Sequence, residues 1–300
     1  MYNIKKEKIG TLMLKARERM VVIPGFNIPY LPMMEPVVKA LRDCHTVGLI
    51  MVARLEWIKF KSGSLKAVRN EYEKVKDERF TRLHLDHVPI IDEDNLRVDY
   101  EPVIREAIEL GYDSVMVDGS RLSLAENIAC TRRAADMAHK AGIAIEAELG
   151  AVMGHEAGPL RPYDELFVSG MGFTGTQEAI RFIQESTADW LSVAIGNVHG
   201  AISAARSEKK IEARLSIPHL TALNQALGIP LVLHGGTGIG KPYLMEAFKN
   251  GIAKINIATA IRQPYEKYMD ESIPKAQQAV YDEMLVILNE IEVAGSADKL

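Results

Sequence analysis

Cysteine is scarce in this chain: only Cys44 and Cys130 occur, with no CxxC pair. That excludes a disulfide framework and a cysteine-built zinc site, and it predicts a reducing, cytoplasmic setting. No apolar run approaches the roughly 20 residues of a membrane-spanning helix. The first stretch, Met1 to Arg19, is mixed and charged, without the apolar centre of a secretory leader. No membrane partner is expected. Charge of one sign is scarce too, since 36 Lys and Arg against 40 Asp and Glu leave a net charge of −4. There is no dense basic run and no basic-aromatic stripe, so nucleic acid is not an expected partner. Arg132-Arg133 and Lys209-Lys210 read as solvated charges.

What is present is ordinary globular material. The chain has 300 residues, 47% hydrophobic and 25% charged, enough for one core in one domain spanning 1–300. One local pattern recurs: a helical segment ends at glycine, and an apolar strand begins shortly after. Gly111 precedes a strand at 114–118, Gly142 one at 143–148, Gly228 one at 230–234, and Gly251 one at 254–257. Glycine takes the left-handed conformation that ends a helix, and a short loop follows. Asp99 and Ser216 stand where N-caps are expected, ahead of helices ending near Leu110 and Leu227. Further strands are expected at 21–27, 47–53, 81–87 and 190–196. Their near-continuous apolar character suits strands buried on both faces. Eight strands alternating with helices predict an α/β fold, a closed (β/α)8 TIM barrel. An open doubly wound sheet is the alternative. It would want a glycine-rich dinucleotide loop after strand one, and Gly25-Phe26-Asn27-Ile28-Pro29 is not one.

Two connections stand out. Residues 88–98 carry Asp92, Glu93 and Asp94, an acidic loop. Residues 151–175 carry Gly154, Gly158, Gly170, Gly172 and Gly175, with Gly150 just before. Long glycine-rich loops often act as lids.

Catalytic groups of such a barrel sit at the C-terminal ends of its strands. Those ends read Asn27, Asp86-His87, Asp118-Gly119-Ser120, Glu148, His199-Gly200, His234-Gly235-Gly236 and Asn256 to Thr259, while strand two ends Ala53-Arg54. A lone histidine is more often structural than a ligand. His87, His199 and His234 at equivalent ends of separate strands, with carboxylates beside them, favour a divalent metal. Imidazole suits zinc, and three protein ligands leave a position open. His45, His139 and His219 lie in loop or helix contexts, and His84, on strand three, is placed to orient its neighbours. Gly235-Gly236-Thr237-Gly238 leads into a helix expected near Gly240. Backbone amides there, with the hydroxyls of Thr237 and Thr259, make a phosphate cradle in the loops where barrels often bind phosphate. Gly-Gly-x-Gly alone is more often only a tight turn.

His84-Leu85-Asp86-His87, Val115 to Ser120, Glu146-Ala147-Glu148-Leu149-Gly150, Ala194 to Gly200, Leu233 to Gly238 and Lys254 to Thr259 together resemble the class II fructose- and tagatose-bisphosphate aldolases. The likeness runs from Pro24-Gly25-Phe26-Asn27 to Gly295-Ser296-Ala297. It implies reversible cleavage of a ketose (bis)phosphate to dihydroxyacetone phosphate and an aldehyde, with zinc stabilising the enediolate. His87, His199 and His234 would hold the zinc, and Asp118 and Glu148 would line a second metal position. Asp86 would exchange a proton with the hydroxyl formed from the aldehyde carbonyl. Glu156 would serve the carbon-bound proton of the ketose fragment, and Asn256 would hydrogen-bond the enediolate. Gly200, Gly235, Thr237 and Thr259 would hold the phosphate, and Asn27 would contact substrate. The resemblance also implies a homo-oligomer, a dimer or tetramer, with a long C-terminal helix around 273–292 available as an interface.

The chain departs from that pattern on the aldehyde side. Ala53-Arg54 stands where a serine is usual, Val88 follows the Asp-His pair, and His155 replaces the first acid of the loop's acidic pair. Arg54 either meets an anionic group on an unusual aldehyde or makes a structural ion pair. Competing readings are a lysine Schiff-base aldolase, a metal-dependent hydrolase and a non-catalytic sugar-phosphate-binding protein. The strand lysine, Lys254, is expected at the wrong end of the barrel for the first. The paired histidines usual on strand one of the second are absent. Binding alone would need no proton-transfer pair such as Asp86 and Glu156.

Overall fold

In a computed structural model of the chain, the described residues are 7–150, 163–197 and 213–300. Helix α1 (Ile9–Glu18) comes first. Then β1 (Ile23–Asn27), α2 (Met34–Asp43), β2 (Gly48–Ala53), α3 (Arg54–Lys59), α4 (Leu65–Val75), β3 (Thr81–Pro89), α5 (Tyr100–Glu109) and β4 (Ser114–Asp118) follow. The middle of the chain supplies α6 (Leu124–Lys140), β5 (Ala144–Leu149), α7 (Tyr163–Ser169), α8 (Thr176–Ser186) and β6 (Trp190–Val193). The last part comprises α9 (Ile217–Leu227), β7 (Leu231–Leu233), α10 (Lys241–Lys249), β8 (Ile252–Ile257), α11 (Thr259–Tyr268) and α12 (Ile273–Glu290).

The strands pair in sequence order, all parallel, and β8 returns to β1 to close the barrel. The expected (β/α)8 barrel is the fold, and closure removes every sheet edge. The open-sheet alternative falls with it. Gly111, Gly142, Gly228 and Gly251 all have positive φ, between 67° and 102°, as their place after a helix requires.

Local signals explain several boundaries. Ser123 Oγ accepts from the Glu126 amide while the Glu126 carboxylate accepts from the Ser123 amide at 3.3 Å, a capping box that opens α6. Asp99 and Ser216 do occupy N-cap positions, but neither side chain makes a capping hydrogen bond. Their ψ angles of 89° and 86° differ from the wider extended values of true Ser caps such as Ser123 at 153°. The stretch expected as one long loop, 151–175, contains α7.

Between strands and helices lies a continuous apolar layer that includes Phe26, Leu83, Val115, Ile145, Leu191, Leu231 and Ile255. A second cluster fills the floor of the barrel. Ile23, Leu49, Met51, Trp190 and Val232 meet there beneath Ile9, Leu12, Met13 and Ala16 of α1, which closes that end. Water is thereby excluded from below, and the polar side chains inside the barrel open only toward the C-terminal mouth. Among the described residues, no helix is long and apolar enough to cross a membrane.

Candidate metal centre and active site

Side chains along a strand alternate faces, so every second residue points into the barrel. On β3 this brings His84 and Asp86 inward, on β5 Glu146 and Glu148, and on β8 Lys254 and Asn256. Two polar layers result. His84, Glu146 and Lys254 form the inner one, each with no exposure. Asp86, Glu148, Asn256, Asn27 and His234 form the layer above, all buried.

His87 breaks the alternation. Following Asp86, it would face outward in a regular strand. The β3–β4 register shifts between Leu85 and Val88, and His87 takes φ 34°. A bulge with a left-handed residue re-aims the side chain. The ring therefore turns to the same mouth as Asp86 and packs edge-on to His234, with centroids 4.5 Å apart.

Two candidate clusters share His87. Donor atoms of Asp86, His87 and His234 lie within 4.8 Å of one another, as do those of His87, Asp118 and Glu148. His87 Nδ1 is 3.5 Å from Asp118 Oδ2, and His234 Nδ1 is 3.3 Å from Glu148 Oε2. The sequence placed these five residues at one mouth, and the fold brings them together there. His199 and Gly200, with Glu156 and His155, lie outside the described residues.

The donor set fits a divalent cation. Of the four carboxylates Asp86, Asp118, Glu146 and Glu148, the ammonium of Lys254 meets Glu146 at 2.7 Å and Asp86 at 3.8 Å, which leaves the mouth an excess of negative charge. Burial opposes charge on both His87 and His234, yet the neighbouring carboxylates raise both rings, His87 to about 10. Carboxylates that draw protons onto imidazole would draw a metal in their place. Burial pushes the Asp86 carboxyl up. His87, Lys254, His234 and His84 outweigh it, and the group is held well below the usual carboxylate range. Asp118 is likewise held low against burial, by His87 and Ser120.

Asp86 is also clamped. Asn27 Nδ2 donates to Oδ2 and Asn256 Nδ2 to Oδ1, both at 3.0 Å. Asn256 Oδ1 is buried with no hydrogen-bond partner among the described residues, an acceptor left for a ligand hydroxyl.

Of the phosphate candidates, Gly235 and Thr237 lie in the turn between β7 and α10. Thr259 is the first residue of α11, not an extension of the strand. Gly235 takes φ 69°, directly after His234, and Gly236 donates its amide to Asn256 O. A Cβ on Gly236 would come within 2.6 Å of Ile255. The turn thus brings backbone close beside the metal candidates, and Gly240 caps α10 beyond it.

Lys254 is placed differently from expectation. Its Cα lies low on β8, but the ammonium rises into the barrel, 2.7 Å from Glu146 Oε2 and 3.8 Å from Asp86 Oδ1. Held by Glu146, it is no exposed amine for a Schiff base. Glu146, Lys254 and Glu56 were not singled out as site residues by sequence reasoning. Counting back two residues from Glu148 and Asn256 would have found the first two. Glu56, on α3, accepts from the Ala53 amide at 2.8 Å.

Arg54 pairs with Asp92 at 3.5 Å. Asp92 is itself buried, and its Oδ1 accepts from the amides of Asp94 and Leu96. One acid of the acidic loop is therefore the knot that folds it.

The chain's sequence matches the profile of fructose-bisphosphate aldolase class-II over residues 7–297. It belongs to the class II fructose-bisphosphate aldolase family. A fructose-bisphosphate aldolase of Staphylococcus aureus is 28% identical over 251 residues, 83% of this chain and 79% of that protein. A 6-phospho-5-dehydro-2-deoxy-D-gluconate aldolase of Bacillus velezensis is 37% identical over 177 residues, 59% of this chain and 52% of that one. Among solved structures, the YdjI aldolase of Escherichia coli K12 superposes with a TM-score of 0.76 at 25% identity, covering 96% of this chain and 98% of that chain. The chain is thus a carbon–carbon lyase of a metal-dependent aldolase class, as its motifs implied. The hydrolase and binding-protein readings drop out.

Proposed function

We propose that this aldolase reversibly cleaves a ketose phosphate into dihydroxyacetone phosphate and an aldehyde, with zinc held by His87, His199 and His234. The observation that carries the reading is the convergence of Asp86, His87 and His234 within 4.8 Å at the barrel mouth. Asp118 and Glu148 line a second metal position beside it. Zinc, when bound, supplies Lewis-acid stabilisation of the negative charge left on the ketone fragment.

The chain's own residues do the rest. Asp86 takes the proton from the hydroxyl of the carbon that becomes the aldehyde, as the carbon–carbon bond breaks and its electron pair stays with the ketone fragment. The Lys254 ammonium, 3.8 Å away, favours the ionised form of Asp86 for that step, and the two asparagine amides hold its oxygens in place. Asn256 donates to the enediolate. Glu156 returns a proton to its carbon, and the two separately placed carboxylates serve oxygen and carbon in turn. Gly200, Gly235, Thr237 and Thr259 hold the phosphate, and Asn27 contacts the substrate beside Asp86.

The aldehyde half is altered. We infer that it carries an anionic group met by Arg54, which exchanges its loop partner Asp92 for substrate. A relative named for a phosphorylated sugar acid supports this class of substrate. The same reading makes the chain a cytoplasmic homo-oligomer, dimer or tetramer. Helix α12 leaves Ile273 and Val286 exposed for such a contact.

The test is release of dihydroxyacetone phosphate from ketose 1-phosphates, 1,6-bisphosphates and a phosphorylated keto-sugar acid, with and without chelator. Release that stops with chelator and returns with zinc is expected. Chelator-resistant release, or none from any substrate with zinc bound, would overturn the reading.

A further inference from the structure

A buried ion pair lies beneath the mouth, and its Glu146 has no role in the proton transfers above. Lys254 Nζ sits 2.7 Å from Glu146 Oε2, and the other oxygen, Oε1, sits 2.8 Å from His234 Nε2. All three side chains have no exposure. Burying a lysine and a glutamate is costly, and replacement by apolar side chains is often neutral or stabilising. The pair therefore calls for a reason other than stability.

Geometry supplies one. The ammonium of Lys254 donates to Glu146 Oε2, so Glu146 stands as the anion of the pair and its Oε1 is left to accept from His234. An ionised carboxylate only accepts hydrogen bonds, so the 2.8 Å contact places hydrogen on His234 Nε2, and it outranks the longer 3.1 Å approach of Asn256 Nδ2 to the same nitrogen. In the neutral ring the lone pair is then on Nδ1, the nitrogen facing Glu148 at 3.3 Å. Inner donor atoms of His84, Asp86 and Glu146 also converge, but Lys254 already stands there as their cation.

We propose that the Lys254–Glu146 pair is a positioning device that fixes His234 in the tautomer whose Nδ1 meets the metal, with Lys254 keeping Glu146 in place. This rests on the reading of His234 as a metal ligand. Carboxylates behind ligating histidines commonly raise ligand basicity, and their loss typically costs 10- to 100-fold in metal affinity.

The test is zinc affinity of the full chain, measured by competition with a chromophoric chelator. The double variant Glu146→Leu/Lys254→Met removes both members of the pair at constant net charge and should bind zinc about 10- to 100-fold more weakly, with its circular dichroism unchanged. Histidine 15N spectra of the unmutated, zinc-loaded protein supply a measurement that no folding defect can spoil, and should show the His234 proton on Nε2. Unchanged affinity in the double variant, or a proton on Nδ1, would overturn the proposal. His234→Ala separates the two levels. If it lowers affinity while the double variant does not, only the positioning role fails. If it leaves affinity unchanged, the metal reading at His234 fails and takes the proposal with it.

Discussion

Asn256 donates its side-chain amide to Asp86 Oδ1 at 3.0 Å, across the barrel from β8 to β3. Asn27 makes the matching bond to Oδ2, so the proposed proton-transfer carboxylate cannot rotate. Asp86→Asn should lower kcat by about 10²- to 10⁴-fold, the usual contribution of a positioned acid–base group. Asn256→Ala should cost about 10²- to 10³-fold in kcat, like loss of one donor to a developing anion. Both should retain bound zinc. Steady-state kinetics beside metal analysis checks this, and a rise in KM alone would contradict it.

Metal removal should also be visible without substrate. A ligand bound only by the folded chain stabilises it by about 2.7 kcal/mol at a hundredfold excess over Kd. Chelator should therefore lower the midpoint of thermal unfolding, and zinc should restore it. His87→Ala should abolish the shift. A midpoint indifferent to zinc and chelator would argue against a site shared by His87, Asp118 and Glu148.

Much of this was legible in the residues. Helix-ending glycines and apolar strands announce the barrel, and the polar strand ends place Asp86, His87, Asp118, Glu148, His234 and Asn256 at one mouth. The inner layer was not, because Glu146 and Lys254 lie below the strand ends, where period-2 alternation must be counted back through an apolar-looking run. The turning of His87 was hidden as well. A bulge depends on the register against β4, which no local stretch of β3 encodes. Asp92 reads only as one acid of an acidic loop, and its three partners, the Asp94 and Leu96 amides and Arg54, reveal it as the loop's knot.

Arg54 offers a separable prediction. Its ion pair with Asp92 is long, 3.5 Å, and largely buried, with the side chains 23% and 10% exposed. Asp92 keeps the Asp94 and Leu96 amides as partners, so a substrate anion could take its place at Arg54 without leaving that carboxylate partnerless. Arg54→Ala should raise KM for anionic aldehydes by about tenfold or more while leaving neutral ones nearly unchanged, since a hydrogen bond to a charged group is worth about 1.5–3 kcal/mol. Equal KM changes across condensations of dihydroxyacetone phosphate with both aldehyde classes would reduce Arg54 to a loop contact.

Glu56 carries a pH prediction. Burial raises its carboxyl from an ordinary 4.5 to about 8, with Asp86 adding to the rise and the Ala53 amide, Asn27 and His87 opposing it. The folded chain therefore holds this proton more tightly than the unfolded chain does. Its contribution to stability is complete below about pH 4.5 and is lost as pH rises through about 8, with a slope of at most about 1.4 kcal/mol per pH unit. Glu56→Gln keeps the shape and the acceptor for the Ala53 amide but cannot ionise. Relative to the unmutated protein, the variant should gain stability steadily between those limits. Urea unfolding of both metal-free proteins at several pH values measures the difference, and a difference that stays flat from pH 5 to 8 would show that Glu56 is already ionised in its pocket.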